Sequence, residues 1–386
     1  MKINRNIIAA FLLMSTQVVM AQKITLGSCI TKDKGQYNGE MVAGKPHGKG
    51  RAVYPNGDIY EGEYAKGMRN GQGVYSFSDG EKYEGTWLND QQHGKGTYYF
   101  SNNNRYEGLW YRDYQQGHGI MYYYNGDIYD GEWVKDMREG KGRYTFKSGA
   151  YYSGKWKGDM KNGEGTFDWG DGSSYSGMWV NNQRSGKGTF KYADGDVYIG
   201  EWKEDNQNGK GIYKFQNGDV YEGNYVDGER TGDGIFTYAN GDKYTGRFLN
   251  GDKSGVGTYV WKNGDIYVGD WKNDQQNGHG KLTTKGGDVY EGQFKKGNVE
   301  GEVIIHFHDR SRFKGVYRNG KRNGGAIEET KDGKRFEGYY IDDKRDGNFV
   351  EKDRDGRITA HGRYENGRRI EESLLMVTIL SCFYIY

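Results

Sequence analysis

Two histidines flank a phenylalanine in His306-Phe307-His308, and alternate residues of a strand share a face, so the two imidazoles could chelate a metal ion. No third ligand stands at a metal-site spacing, and the pair reads as structural. Gly94-Lys95-Gly96-Thr97 and Gly186-Lys187-Gly188-Thr189 have the composition of a phosphate loop without its spacing. That motif puts four residues before Gly-Lys-Ser/Thr and opens a helix. Glu61, Glu84, Glu107, Glu222 and Glu291 recur at equivalent positions. Glycoside hydrolysis needs one carboxylate pair set apart by its surroundings, not many equivalent solvated ones. Asp58, Asp127, Asp196 and Asp219 follow Asn-Gly or Asp-Gly and could hold calcium, but turn chemistry accounts for them as well. His47, His93, His118 and His279 occupy recurring slots. No catalytic, cofactor-binding or metal-ligating residue is assigned, and a non-catalytic chain without cofactor is expected.

Two other sets suit binding. Tyr83, Trp87, Tyr106, Trp110, Tyr129, Trp133, Tyr152, Trp156, Trp179 and Trp202 form rows that could stack on sugars or receive an apolar segment of a partner. The alternative is that these rings pack on one another. Arg310, Arg312, Lys321, Arg322, Lys334, Arg335, Arg368 and Arg369 lie in a stretch, Arg310 to Arg369, with 17 basic against 11 acidic residues, which could favour an anionic surface. A solvated end of the molecule explains that tilt equally. Net charge over all 386 residues is only +2, which gives no case for nucleic-acid binding.

What positions these residues is a repeat. Tyr37, Tyr60, Tyr83 and their successors to Tyr290, then Phe313 and Phe336, are spaced by 23 residues without an insertion. A glycine follows two residues later and a large side chain four later. A glycine pair comes eleven and thirteen later, and further aromatics usually fifteen and seventeen later. These offsets share parity within each half of the unit, so each unit predicts two short strands with an aromatic/glycine face and a polar face. Glycine weakens strands by entropy; an aromatic ring set opposite each glycine would compensate. Asn-Gly in a two-residue loop would put the offset-17 aromatic on the wrong face. A three-residue Asn-Gly-Asp loop keeps the faces consistent and sets Phe77 opposite Tyr83.

The composition agrees. Gly (65) is far above its usual share while Pro (2) is nearly absent, which excludes collagen. The 35 Tyr, 15 Phe and 9 Trp can bury too much surface for a disordered chain. The fold class expected is all-β, an elongated, twisted single-layer antiparallel sheet of stacked β-hairpins.

The ends differ from the array. Lys2 and Arg5, the apolar stretch Ile7 to Met20 and Val19-Met20-Ala21 read as a signal peptide over residues 1–21, so export to a periplasmic, cell-surface or secreted location is expected. Residues 22–36 read as a lead-in, 37–370 as about fourteen repeats plus a degraded last unit, and 371–386 as an apolar tail. The tail caps the array, anchors it, or is a foreign extension of the reading frame; its residues leave these open. Cys29 and Cys382 are far apart in such an array and match no zinc or redox spacing.

Tyr83-Glu-Gly-Thr-Trp87 followed by His93-Gly-Lys-Gly96, and Tyr60-Glu-Gly-Glu-Tyr64 followed by Asn70-Gly-Gln-Gly73, resemble the unit of MORN-repeat (membrane occupation and recognition nexus) proteins. The resemblance covers about residues 37–340. It weakens at Gly301-Glu-Val303 and Gly347-Asn-Phe349, which lose the second glycine, and at Phe313 and Phe336. It implies a scaffold whose partner is a protein or an envelope or membrane surface, with a homodimer through terminal repeats also open. Residues 22–36 and 371–386 are too few for the catalytic domain that some members of that family carry. The second reading is a glycan- or lipid-binding module using the aromatic face or the basic repeats.

Overall fold

The computed structural model describes residues 23–370. The expected signal peptide, the apolar tail and Cys382 lie outside the described residues. Two units are distinguished: one runs to Gly149 and includes Lys155–Asp159, the other holds Ala150–Gly154 and continues from Met160. Among the described residues all regular structure is β, in thirty-two strands from Thr25–Ile30 to Arg368–Ile370. Within each unit, strands pair antiparallel with their neighbours in the chain. The sheets stay open: Thr25–Ile30 pairs only with Gln36–Val42, and Arg368–Ile370 only with Ile358–Glu365.

A typical repeat is a seven-residue strand such as Lys82–Leu88 and a nine-residue strand such as Gln91–Tyr99. Asn89-Asp90 joins them with both φ angles left-handed (51° and 69°), a type I′ loop whose twist matches its strands. The opposite turn has the expected three residues, but it starts one residue earlier than expected. In Ser78-Asp79-Gly80 the Phe77 N–H donates to Glu81 O at 2.9 Å, and Gly80 N–H to Phe77 O at 3.1 Å. Gly80 takes φ 93° at the third loop position, where a type I turn followed by a bulge demands a left-handed residue. Asp79 accepts from Glu81 N–H at 3.0 Å and fixes that placement. Tyr75, not Phe77, therefore faces Tyr83. The register differs from the expected one by two residues, so every side chain keeps its face.

A bulge completes the unit. Gly85 pairs with Gly96 and Trp87 with Gln92, so His93-Gly94-Lys95 together oppose Thr86. Gly94 sits at φ 65° in that bulge, which explains the first glycine of the pair.

The second glycine serves the core. Glycines face glycines (Gly73 with Gly85, Gly85 with Gly96), not rings as expected. The covering ring comes from the tyrosine two residues earlier on the same strand, lying flat across both. A Cβ on Gly96 would stand 2.3 Å from Tyr83 Oη, and one on Gly85 2.6 Å from the same atom. The Tyr83 hydroxyl donates to Thr86 O at 3.0 Å, and the bond recurs from Tyr60, Tyr106, Tyr129, Tyr175 and Tyr198. The large residues at offset four mostly stand edge-on to two such tyrosines: Trp87 lies 5.2 Å from Tyr83 and 5.4 Å from Tyr60.

The last repeats change chemistry together. Val303, Ala326 and Phe349 replace the second glycine and join Phe313, Phe336 and Tyr340 in an ordinary apolar cluster. A side chain there leaves no room for a hydroxyl above it, and the covering rings are Phe313 and Phe336. Tyr290, the lead residue of the unit that holds Val303, is only partly buried.

Candidate functional site

The aromatic rows are the core. Tyr83, Tyr106, Tyr129 and Tyr152 are at most 1% exposed, and Trp87, Trp110, Trp133, Trp156, Trp179 and Trp202 at most 6%. Most of these indoles also spend their N–H internally, as Trp133 does on Gly119 O at 3.0 Å. The ten residues read as a binding face thus present edges packed on one another, not open ring faces. Burial, and after it the nearby Asp270 carboxylate, pushes the Tyr267 phenol up to about 12.

Over these rings lies a row of cations that sequence reading missed. Arg69 Cζ stands 4.3 Å from the Trp87 ring, Arg138 4.4 Å from Trp156, Lys161 Nζ 4.2 Å from Trp179 and Arg184 Cζ 4.4 Å from Trp202. The arginines pair with an acid of the next two-residue turn, Arg69 with Asp90 at 3.3 Å and Arg184 with Asp205 at 3.1 Å. That carboxylate also accepts the arginine's own backbone N–H. The signal was a basic residue nine places after the lead tyrosine, meaningful only once the register is known.

The eight basic residues of the C-terminal repeats do not form one patch. Arg310, Arg312, Lys334 and Arg335 lie at or beside three-residue turns, while Lys321, Arg322, Arg368 and Arg369 flank two-residue turns at the opposite ends of the strands. Seven residues of strand separate those ends by roughly 20 Å. Arg322 is paired with Asp343 at 3.2 Å, Arg335 with Glu337 at 2.8 Å, and Arg369 stacks on Phe349.

The aspartates after the three-residue turns act between repeats. Asp58 accepts from the Tyr75 hydroxyl at 2.7 Å and from Ser78 N–H at 2.9 Å; Asp127 and Asp242 make the same bonds one unit on. The Lys262 N–H, with the Tyr259 hydroxyl, holds the Asp242 carboxyl below its usual range against the effect of burial. His308 Nδ1 lies 3.2 Å from Asp288, while His306 is a partner of Arg312 in the strand register. Among the described residues no group of three or more His, Cys, Asp or Glu could hold a metal ion.

What stays open is the face opposite the aromatics. Its floor is glycine backbone, and side chains at alternate positions line it. In the second unit Ile199 pairs with Ile212, Ile212 with Glu222 and Glu222 with Ile235 across successive strands. They line a shallow groove of about 1100 Å³ with Lys187, Glu201 and Lys210 at its sides. Ile199 is 40% exposed, and Val256 and Val268 continue the exposed apolar surface.

The MORN repeat family model matches eleven consecutive stretches of this chain, from residues 37–59 to 267–289. No protein of curated function matches it. Among solved structures the chain is similar to the TCP domain of SAS-4 from Drosophila melanogaster, in complex with a proline-rich motif of Ana2. Identity is 15%, over 40% of this chain and 85% of that one, with a TM-score of 0.26. The TCP10 domain of Danio rerio CPAP, in complex with a STIL peptide, is 10% identical over 64% of this chain and 93% of that one, with a TM-score of 0.26. A streptogramin B lyase is 14% identical over 72% and 94%, with a TM-score of 0.13. Likenesses this slight carry no functional argument.

Proposed function

We propose that this chain, which belongs to the MORN-repeat family, is an exported, non-catalytic scaffold that binds a protein partner at the cell envelope through the open face of its sheet. One observation carries the reading. The aromatic side is consumed by self-packing, whereas the opposite face keeps Ile199, Ile212 and Ile235 accessible in a row that Glu222 interrupts and other charged side chains flank. Accessible apolar side chains set among polar and charged ones suit a non-obligate protein contact surface. Export rests on Lys2, Arg5 and the apolar stretch that follows them.

The test is affinity capture from envelope fractions with the full chain and with a deletion of residues 175–220, two whole repeats. The reading expects one protein enriched reproducibly by the full chain and lost with the deletion. Enrichment of nothing, or of the same protein by both, would overturn it. Localisation is checked by fractionation: the mature protein belongs outside the cytoplasm.

A further inference from the structure

The row of cations over the indoles is interrupted twice, in adjacent repeats. Where Arg69, Arg138 and Arg184 stand in their own units, Gln92 and Gln115 stand in theirs. Their backbone N–H groups still donate to the acid of the next turn, Gln92 to Asp113 and Gln115 to Asp136, both at 2.8 Å. A glutamine side chain ends where an arginine's Nε begins, so no guanidinium reaches the carboxylate from this slot. Asp113 and Asp136 are exposed and, among the described residues, have no basic partner within ion-pair distance. Arg112, next to Asp113, turns to the Tyr111 ring instead. The other glutamines at this position, Gln207 and Gln276, face Gly228 and Gly297, which carry no charge to satisfy.

Gln92 and Gln115 are 7% and 5% exposed, their side-chain amides make no hydrogen bond among the described residues, and both line a groove of about 800 Å³. Trp110, Trp133, Tyr98 and Phe100 line it with them. The tyrosines beneath report the missing charge. Burial raises Tyr83 and Tyr106, and Asp113 and Asp136 raise them further, with no cation opposing. Arg69 opposes the rise at Tyr60, and Arg138 at Tyr129.

We infer that this groove binds two cationic side chains of a protein partner, arginine or lysine, one against Asp113 beside the Gln92 amide and one against Asp136 beside the Gln115 amide. The carboxylate and the glutamine amide oxygen would hold each by charge-assisted hydrogen bonds. The two places are one repeat apart, two strands or roughly 10 Å. A polyproline-type segment brings residues i and i+3 to one side at about 9.3 Å. An extended segment with Arg or Lys three residues apart meets that spacing. The inference rests on the protein-partner reading and adds a second contact to it.

The test is calorimetric titration of the full-length protein with acetyl-Gly-Arg-Pro-Pro-Arg-Gly-amide, the same peptide with citrulline for both arginines, and spermidine. The arginine peptide should bind at least about tenfold more tightly than the citrulline peptide. Gln92→Arg/Gln115→Arg, which fills both places from within, should abolish that preference while leaving the melting temperature unchanged or higher. Asp113→Asn/Asp136→Asn should abolish it too, with Asn182 as the natural precedent for a folded repeat. Equal binding of both peptides, undiminished binding by the filled variant, or spermidine binding as tightly as the peptide would overturn the inference. If the filled variant still captures the envelope partner in full, the scaffold reading stands and the cation site falls.

Discussion

Substituting Gly96 by alanine separates the role of the second glycine from ordinary glycine conformational preference. The added Cβ would lie 2.3 Å from Tyr83 Oη and 2.5 Å from Cε2 and Cζ, about 1 Å inside normal contact. Nothing flexible absorbs this, because Tyr83 is held by Thr86 O below and stands edge-on between Trp87 and Trp110 at 5.2 and 5.3 Å. Overpacking costs about 1–3 kcal/mol and the displaced hydrogen bond about 1. Reduced backbone entropy in the unfolded chain returns about 0.5–1. The expected loss is therefore roughly 1–3.5 kcal/mol. Gly80→Ala, with open space around its Cβ, pays only for its left-handed φ, about 1–2 kcal/mol. Removing the hydroxyl should make room, as the pairing of Phe313 with Ala326 and Phe336 with Phe349 does naturally. Gly96→Ala/Tyr83→Phe should thus be more stable than the sum of its single changes by about 1 kcal/mol. Urea unfolding followed by tryptophan fluorescence measures the parent, the three single variants and the double variant. A Gly96→Ala variant within about 0.5 kcal/mol of the parent, or a strictly additive pair, would refute the reasoning.

Arg184→Ala removes both the stack on Trp202 and the bond to Asp205, and thermal melts should show a loss of about 1–2 kcal/mol. Burial pushes the phenols of Tyr175, Tyr221 and Tyr267 up to about 12 from 10.0. Their folded-state values are raised, so their contribution is whole below pH 10 and is lost as pH climbs toward 12; on the alkaline side, urea midpoints should begin to fall near pH 10. A native protein whose tyrosines all ionise near pH 10, read by phenolate absorbance, would contradict this. The carboxyl of Asp242 is depressed, so its contribution holds above 3.8 and disappears as pH falls through the lower folded value; Asp242→Asn should reduce that acid-side slope.

The period, the strand parity and the aromatic/glycine face were legible because they need only spacing along the chain. The placement of the turn was not. Asn56-Gly57 satisfies a two-residue type I′ loop and a three-residue loop ending in glycine alike, and only the Asp58 N–H bond to the Asn56 side chain distinguishes them. The glycine pair also hid two jobs under one motif, Gly94 in a left-handed bulge and Gly96 under a ring. Arg322 and Lys334 look adjacent in a basic run, yet the hairpin sends them to opposite ends of the strands. The unfilled places at Gln92 and Gln115 link residues 21 apart, a relation visible only after the register ties each to the acid of the next turn.

The central claim, that the aromatics form the core and partners meet the surfaces left free, is tested most directly by oxidative footprinting of the full chain, alone and with its captured envelope partner. The account predicts that Trp87, Trp133, Trp179 and Trp202 stay unreactive in both states, while Ile199 and Ile212 react in the free protein and are protected in the complex. Indoles that are reactive when free and protected when bound would contradict it and return the binding site to the aromatic face.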